Sequence, residues 1–310
     1  MRERDLIARL LAPLATGATA RGLDDDAAVF TPPLGRDLVL THDVLAAGIH
    51  YLPGDPASGI AWKLLAVSLS DLAAMGARPA GVLLGLGLSA AEDDAWLTAF
   101  TAGLARGLNR WGVALWGGDT VAGLAAAVLG LTAVGTVEPG AALSRGGARP
   151  GDGVWVSGTI GDAGLGLAIA RGEAGADKYL LGRFRRPEPR LALGQALVGV
   201  ASAALDVSDG LLIDAERLAA ASGVAVTIEL AQVPVSDAAA ARIRRDDAGL
   251  LALATAGDDY ELLFTAPAGA DVPAGTTRVG TVAAGAGLVV IGVAGMAIAP
   301  GRLGFEHRSA

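Results

Sequence analysis

The chain has no cysteine among its 310 residues. That excludes a disulfide framework, a thiolate nucleophile and cysteine-ligated zinc or iron–sulfur. Histidine is scarce: His42, His50 and His307 are too scattered for a histidine-rich metal site. Lysine occurs only at Lys63 and Lys178, and the net charge of −8 argues against nucleic acid or an anionic membrane as partner. Aromatic side chains make up 4% of the chain against 52% hydrophobic residues, so alanine, glycine and aliphatics must build the core. The G-x-x-x-x-G-K-[ST] phosphate loop, the H-E-x-x-H zinc motif and the G-x-S-x-G nucleophile elbow are all missing. One stretch, Val279 to Pro300, has no charge and approaches the about 20 residues of a membrane helix. Glycines at 280, 285, 287, 292 and 295 cut it into pieces of strand length, so buried strands are expected there. Met1 to Leu14 alternates charged and apolar residues as an amphipathic helix does, not a signal peptide, and the expected compartment is the cytoplasm.

The length allows two domains, and a turn-rich stretch beginning at Glu138 marks the expected boundary, giving 1–137 and 138–310. In the first half the pattern predicts short strands over 27–30 and 38–40, the second ending in Thr41-His42-Asp43. Helical spacing follows from Ser58 to Met75, then a strand over 82–88, a helix over 90–111, and strands around 112–115 and 124–137. The second half reads as a strand over 154–157, a glycine-rich helix from 158, and a basic proline-bearing loop over 183–189. Further helices are expected over 190–203, 209–222 and 236–245, with strands over 205–207, 224–230 and 262–264 and a loose tail from Gly304 to His307. The class is α+β: a hairpin followed by βαβαβ in the first half.

Gly85-Leu86-Gly87-Leu88-Ser89-Ala90 satisfies the loose dinucleotide fingerprint, but no acid stands about 20 residues on with the right context. What the chain does have is acids beside Gly, Ser or Thr at the ends of apolar segments: Asp26, Asp43, Asp71, Asp119, Asp206 and Asp209. Any one of them is explained by capping or a turn, Asp209 especially as a helix N-cap. Six together suit Mg²⁺, which takes one or two carboxylates per ion plus phosphate oxygens and water, and which reconciles an acidic protein with an anionic substrate. Arg145 between serine and glycines is a candidate phosphate contact. Asp258 and Tyr260 would suit a cationic heterocycle.

In order along the chain stand Asp25-Asp26-Ala27-Ala28-Val29, Asp43 with Gly48-Ile49-His50-Tyr51, and Leu69-Ser70-Asp71-Leu72-Ala73-Ala74-Met75-Gly76-Ala77. Then come Gly117-Gly118-Asp119-Thr120, Asp206-Val207-Ser208-Asp209-Gly210 and Gly257-Asp258-Asp259-Tyr260-Glu261-Leu262. This set resembles the thiamine-monophosphate kinase family, within the wider AIR synthetase and selenophosphate synthetase superfamily. The resemblance implies a two-domain AIR synthetase-like α+β fold, with N-terminal domains pairing into a β-barrel across a homodimer. It implies phosphoryl transfer from ATP to thiamine monophosphate with several Mg²⁺ ions. Carried over by motif, Asp26, Thr41, His42, Asp43, Asp71, Asp119, Asp206 and Asp209 would hold the metals. Gly118, Asp119, Arg145 and Ser208 would meet ATP, and His50, Asp258 and Phe305 the thiamine phosphate. The pattern departs from the family at Asp24, where glycine is usual, at His42, where Thr or Ser is, and at Asp258, where Glu is common. The alternatives are another ATP-dependent enzyme of the superfamily or a nucleotide-binding dimer without turnover. The missing cysteine disfavours the selenophosphate and hydrogenase-maturation members.

Overall fold

The computed structural model describes residues 1–306, and His307 lies outside them. The chain divides into two units, one of Met1–Leu72 with Ala77–Gly140, the other of Ala73–Gly76 with Ala141 onward.

In unit 1, the amphipathic start is helical as read: α1 (Glu3–Leu6) runs on in π and 3-10 turns to Leu14. The expected strand over 27–30 makes no ladder: Val29 N donates instead to Thr19 O, and Pro32 and Pro33 follow with no N–H to offer. Consequently there is no N-terminal hairpin. The first strand, β1 (Asp37–Ala46), is longer than read and carries Thr41-His42-Asp43 in its middle. Next come α2 (Ala57–Ala74), β2 (Arg78–Ser89), α3 (Asp94–Trp111), β3 (Ala114–Leu124) and β4 (Val128–Val137). Asp93 caps α3, its carboxylate accepting from Trp96 N at 2.8 Å, and Gly112 ends it at φ 63°. The sheet order is β1-β4-β2-β3, with β2 and β3 parallel and the other pairs antiparallel. Gly85 and Gly87 of the false dinucleotide fingerprint are therefore mid-strand, not at a strand-to-helix turn.

The α2 helix has the length and apolarity of a membrane span, but 83% of it is buried. It lies on the inner face of the sheet, where Ser68 Oγ donates to Leu131 O at 3.4 Å. Leu64, Leu65, Leu69, Phe100, Leu104 and Leu131 form the fully buried interior between helices and sheet. At the α2–α3 crossing a Cβ on Gly103 would stand 2.3 Å from Ser58 O, so only glycine permits the approach. The outer face of the same sheet is different: Leu38, Leu40, Val44, Leu83, Val121 and Val128 are exposed.

Unit 2 is a seven-stranded sheet of order β11-β10-β7-β9-β5-β8-β6. Its strands are β5 (Gly153–Ser157), β6 (Ala203–Val207), β7 (Ala225–Glu229), β8 (Glu261–Ala266), β9 (Thr276–Ala283), β10 (Gly287–Ile291) and β11 (Ala297–Ile298). The apolar stretch from 279 is thus strand, as its glycines implied, but not buried throughout as expected: β10 and β11 lie at the sheet's edge, and Val289, Val293 and Met296 are exposed. The helices are α4 (Asp162–Ala170), α5 (Lys178–Arg185), α6 (Leu191–Leu197), α7 (Leu211–Ser222), α8 (Asp237–Ala240) and α9 (Asp247–Ala254). Two were not anticipated. The first three residues of the basic stretch read as a loop, 183–185, belong to α5, and 186–189 are loop as read; the helix is started by Asp177, which accepts from Tyr179 N and Leu180 N. The short α9 is capped by Asp246. The core gathers Val154, Val156, Leu205, Val207, Leu212, Leu218, Val226, Ile228 and Leu263 around α7.

Candidate active site

The Thr41-His42-Asp43 triplet sits in mid-strand, so the pleat sends its side chains to opposite faces. Thr41 and Asp43 point to the inner face toward α2, where Thr41 Oγ1 donates to the Asp71 carboxylate. Asp43 lies close enough to Asp71 to feel its charge, and burial together with that repulsion pushes the Asp43 carboxyl up to about 6. One of its oxygens, Oδ2, is buried with no hydrogen-bond partner. Two carboxylates crowded together, one with an orphaned oxygen, form a pair that a divalent cation would relieve.

His42 faces the other way. Its Nδ1 is 2.9 Å from Thr132 Oγ1 on the neighbouring strand. It shares a cavity of about 650 Å³ with Asp26, Gly118 and Asp119. Asp119, paired with Gly85, is likewise on the outer face and exposed. The sequence reading of a single strand-end carboxylate set is therefore corrected for unit 1. Asp26, His42 and Asp119 form one group, and Thr41, Asp43 and Asp71 another, separated by the sheet. Among the described residues no three histidine or acidic side chains converge as a ready-made metal cage. Gly118 has a structural need of its own: a Cβ there would fall 1.9 Å from Leu84 O of β2.

Also in unit 1, His50 accepts from Ala46 N through Nδ1 at 3.0 Å, which leaves Nε2 to carry the ring proton in the neutral tautomer. Its carbonyl accepts from the Nζ of Lys63 at 3.0 Å, and Lys63 is only 2% exposed.

Unit 2 brings Asp206, Ser208, Asp209, Asp258 and Phe305 to one end of β6. Asp206 is buried in the strand, opposite Leu262. Beyond it the chain turns through Gly210 at φ 129° into α7. Asp209 was read as the cap of this helix; the structure assigns that end differently. The Ncap residue is Gly210 without a side-chain bond, and Asp214 from inside the first turn accepts from Ser208 N and Asp209 N at 3.1 Å each. Asp209 is thereby free of capping duty and pairs with Arg217 Nη1 at 2.5 Å. The same guanidinium nitrogen reaches Asp214 at 2.7 Å. Burial nevertheless pushes the Asp214 carboxyl up to about 6, against the pull of Arg217. The turn's carbonyls hold two further segments: Asp258 N donates to Ser208 O at 2.7 Å and Phe305 N to Asp209 O at 2.9 Å. Phe305 is half-exposed beside a second cavity of about 390 Å³.

Arg145 is not in this group. Its carbonyl accepts from Ser222 Oγ at the far end of α7, and Ser144 O accepts from Ala204 N at the start of β6. It thus lies at the opposite end of that helix and strand from Asp209. Sequence reading also passed over Lys63, Asp214 and Arg217; the pairing of a lone buried lysine with an apolar helix was the only available signal for the first.

Two family models cover most of the chain: AIR synthase related protein, N-terminal domain, over residues 24–137, and its C-terminal domain over 149–294. The thiamine-monophosphate kinase of Caulobacter vibrioides is 40% identical, the match covering 98% of this chain and 90% of that protein. The crystal structure of the thiamine-monophosphate kinase from Stenotrophomonas maltophilia superposes with a TM-score of 0.83 at 40% identity, over 94% of this chain and 97% of the other. AaThiL complexed with AMPPCP and TMP superposes at 0.78 with 29% identity, over 97% of each chain. With the two-domain AIR synthase-like fold and the ordered acid motifs, these likenesses show that the chain belongs to the thiamine-monophosphate kinase family.

Proposed function

We propose that this chain transfers the γ-phosphoryl group of ATP directly to the phosphate of thiamine monophosphate, giving thiamine diphosphate and ADP. A phosphate oxygen of the acceptor forms the new P–O bond as the bond to the ADP leaving group breaks. The acceptor oxygen is already ionised near neutral pH, so no general base is needed. The difficulty is bringing two anions together, which catalysis meets by neutralising charge and holding the groups in line. The observation that carries the reading is the half-buried pair of Asp43 on β1 and Asp71 on α2, with the buried Asp43 Oδ2 unpartnered. Its oxygen donors fit Mg²⁺.

Asp43 and Asp71 would hold a metal from the inner face of the sheet, with Thr41 orienting Asp71. Asp26 and Asp119 would do so from the outer face, and Asp206 and Asp209 from unit 2. His42, its ring engaged with Thr132, contributes through its backbone carbonyl. Bound Mg²⁺ supplies charge neutralisation for the phosphates. Gly118 and Ser208 contact ATP, while Arg145, at the far end of α7 and β6 from Ser208, is assigned to ATP by its motif alone. His50 presents Nε2–H to the substrate phosphate, while Asp258 and Phe305 meet the thiamine cation by charge and ring face. The exposed apolar outer face of the unit 1 sheet is the surface on which a second copy pairs.

An assay with ATP and Mg²⁺ offers thiamine monophosphate, thiamine and formylglycinamidine ribonucleotide side by side. Thiamine diphosphate is expected from the first alone, and chelation of the metal abolishes it. Turnover confined to the second or third acceptor would overturn the assignment.

A further inference from the structure

One fully buried carboxylate has no part in the reaction so far. Asp259 is 1% exposed, in the loop between α9 and β8 that is hydrogen-bonded to the end of β6. Its neighbours are in the left-handed region that L-residues avoid: Asp258 at φ 64° and Tyr260 at φ 52°. Aspartate tolerates that conformation through its short polar side chain; tyrosine does not, so something must hold it there. The backbone bonds of Asp258 N to Ser208 O and Tyr260 N to Val207 O, at 2.7 and 2.8 Å, supply half of the restraint.

The other half comes from the interior of unit 2. The Asp259 carboxyl group accepts from Gly161 N at 2.8 Å and Ala163 N at 3.4 Å. These are donors at the start of α4, whose Ncap residue, Gly161, has no side chain to serve them. The Asp259 carbonyl accepts from Arg183 Nη2 of α5 at 3.2 Å, and that nitrogen also reaches Glu261 Oε1 at 2.8 Å. Glu261 is clamped in turn by Arg190 Nε at 2.6 Å and Ser157 Oγ at 2.5 Å. The strained pair is therefore flanked by an anchored residue on each side of Tyr260. The Tyr260 hydroxyl donates to Asp258 Oδ1 at 3.1 Å, so the orientation of the one sets that of the other.

We propose that Asp259 and Arg183 are positioning residues for the Asp258 carboxylate: they fasten the Gly257–Tyr260 loop to α4 and α5 and so fix where Asp258 meets the thiamine cation. This rests on the reading of Asp258 as a substrate contact. Without the lock the loop relaxes from its left-handed conformation, and Asp258 loses register with the substrate while the nucleotide contacts stay intact.

The test uses the full chain and four variants: Asp258→Ala, Asp259→Asn, Arg183→Met and the Arg183→Met, Asp258→Ala double. KM for thiamine monophosphate and KM for ATP are measured separately, together with Tm. Arg183→Met and Asp259→Asn are each expected to raise KM for thiamine monophosphate about tenfold, with KM for ATP changed less than about twofold. The double variant is expected to be no worse than Asp258→Ala alone, because the lock acts only through Asp258. Multiplying effects in the double variant, or equal changes in both KM values, would overturn the positioning role. An Asp258→Ala enzyme with unaltered KM for thiamine monophosphate would instead overturn the substrate contact, and the positioning role with it. If Asp258→Ala raises that KM and Arg183→Met does not, the lock alone is refuted. Should Arg183→Met fail to fold, Arg183→Lys carries the same comparison.

Discussion

Asp43 is partly and Asp259 wholly withdrawn from water, and their surroundings assign them opposite work. Asp43 faces Asp71 with an oxygen left over. Replacing it with Asn removes the charge repulsion and keeps the shape. The metal-free Asp43→Asn protein is expected to melt about 2–4 °C higher than the parent, while its activity falls about a hundredfold or more; calorimetry with chelator and the coupled ADP assay read the two effects. An unchanged Tm would mean the pair is not strained. For Asp259 the prediction concerns pH. Burial pushes its carboxyl from 3.8 up to about 8, outweighing the Gly161 and Ala163 donors and Arg183. The folded state therefore binds a proton that the unfolded chain releases. The stability this contributes is full below about 4 and is lost as pH rises through about 8. Asp259→Asn should flatten the decline of Tm between about pH 5 and 8.5; an identical slope in the variant would contradict it. The identities of the acids were readable from the chain because aspartates beside Gly, Ser and Thr stand out in an apolar background. Their surroundings were not, since whether Asp209 caps a helix or is released to Arg217 depends on Asp214, a residue with no motif around it.

At the level of elements, periodicity announced α2 and α3 because each runs for 18 residues with repeated apolar positions. It failed where polar residues interrupt a strand. Thr41-His42-Asp43 looks like a strand end, yet Leu131, Thr132 and Ala133 of β4 pair with it and carry β1 three residues further. That error hid the most consequential feature of unit 1, the division of the acids between two faces of one sheet. The α5 helix was hidden by the prolines and arginines that follow its start, and only its Asp177 cap speaks for it. Close packing was legible only as an abundance of glycine. Gly103 gives that abundance a location: an alanine Cβ would meet the backbone of Ser58, which cannot rotate aside. Gly103→Ala is expected to destabilise unit 1 by about 1–3 kcal/mol, measured as a lower urea midpoint with no change in KM for either substrate.

For the whole molecule the unresolved balance is on the outer face of the four-stranded sheet. A sheet normally covers its apolar face with another layer. Here the inner face has α2 and α3, but Leu38, Leu40, Val44, Leu83, Val121 and Val128 on the outer face remain exposed, Leu40 at 63%. Their alternation along β1 with inward residues shows that this is a face built for burial, not a scatter of surface leucines. β1 and β3 are also the sheet's edge strands, the positions at which a further strand can add. A second copy of the same face satisfies both demands through a two-fold axis, which is why the paired barrel is the arrangement we favour. The cavity lined by Asp26, His42 and Asp119 opens on that same face, so pairing and nucleotide binding are expected to be coupled. Leu40→Glu with Val44→Glu places like negative charges on symmetry-related strands, where they repel. Sedimentation velocity is expected to show a dimer for the parent and a monomer for this variant, with activity reduced at least tenfold at equal protein concentration. A parent that is monomeric at micromolar concentration and fully active would refute the pairing, whereas a monomeric but fully active variant would refute the coupling.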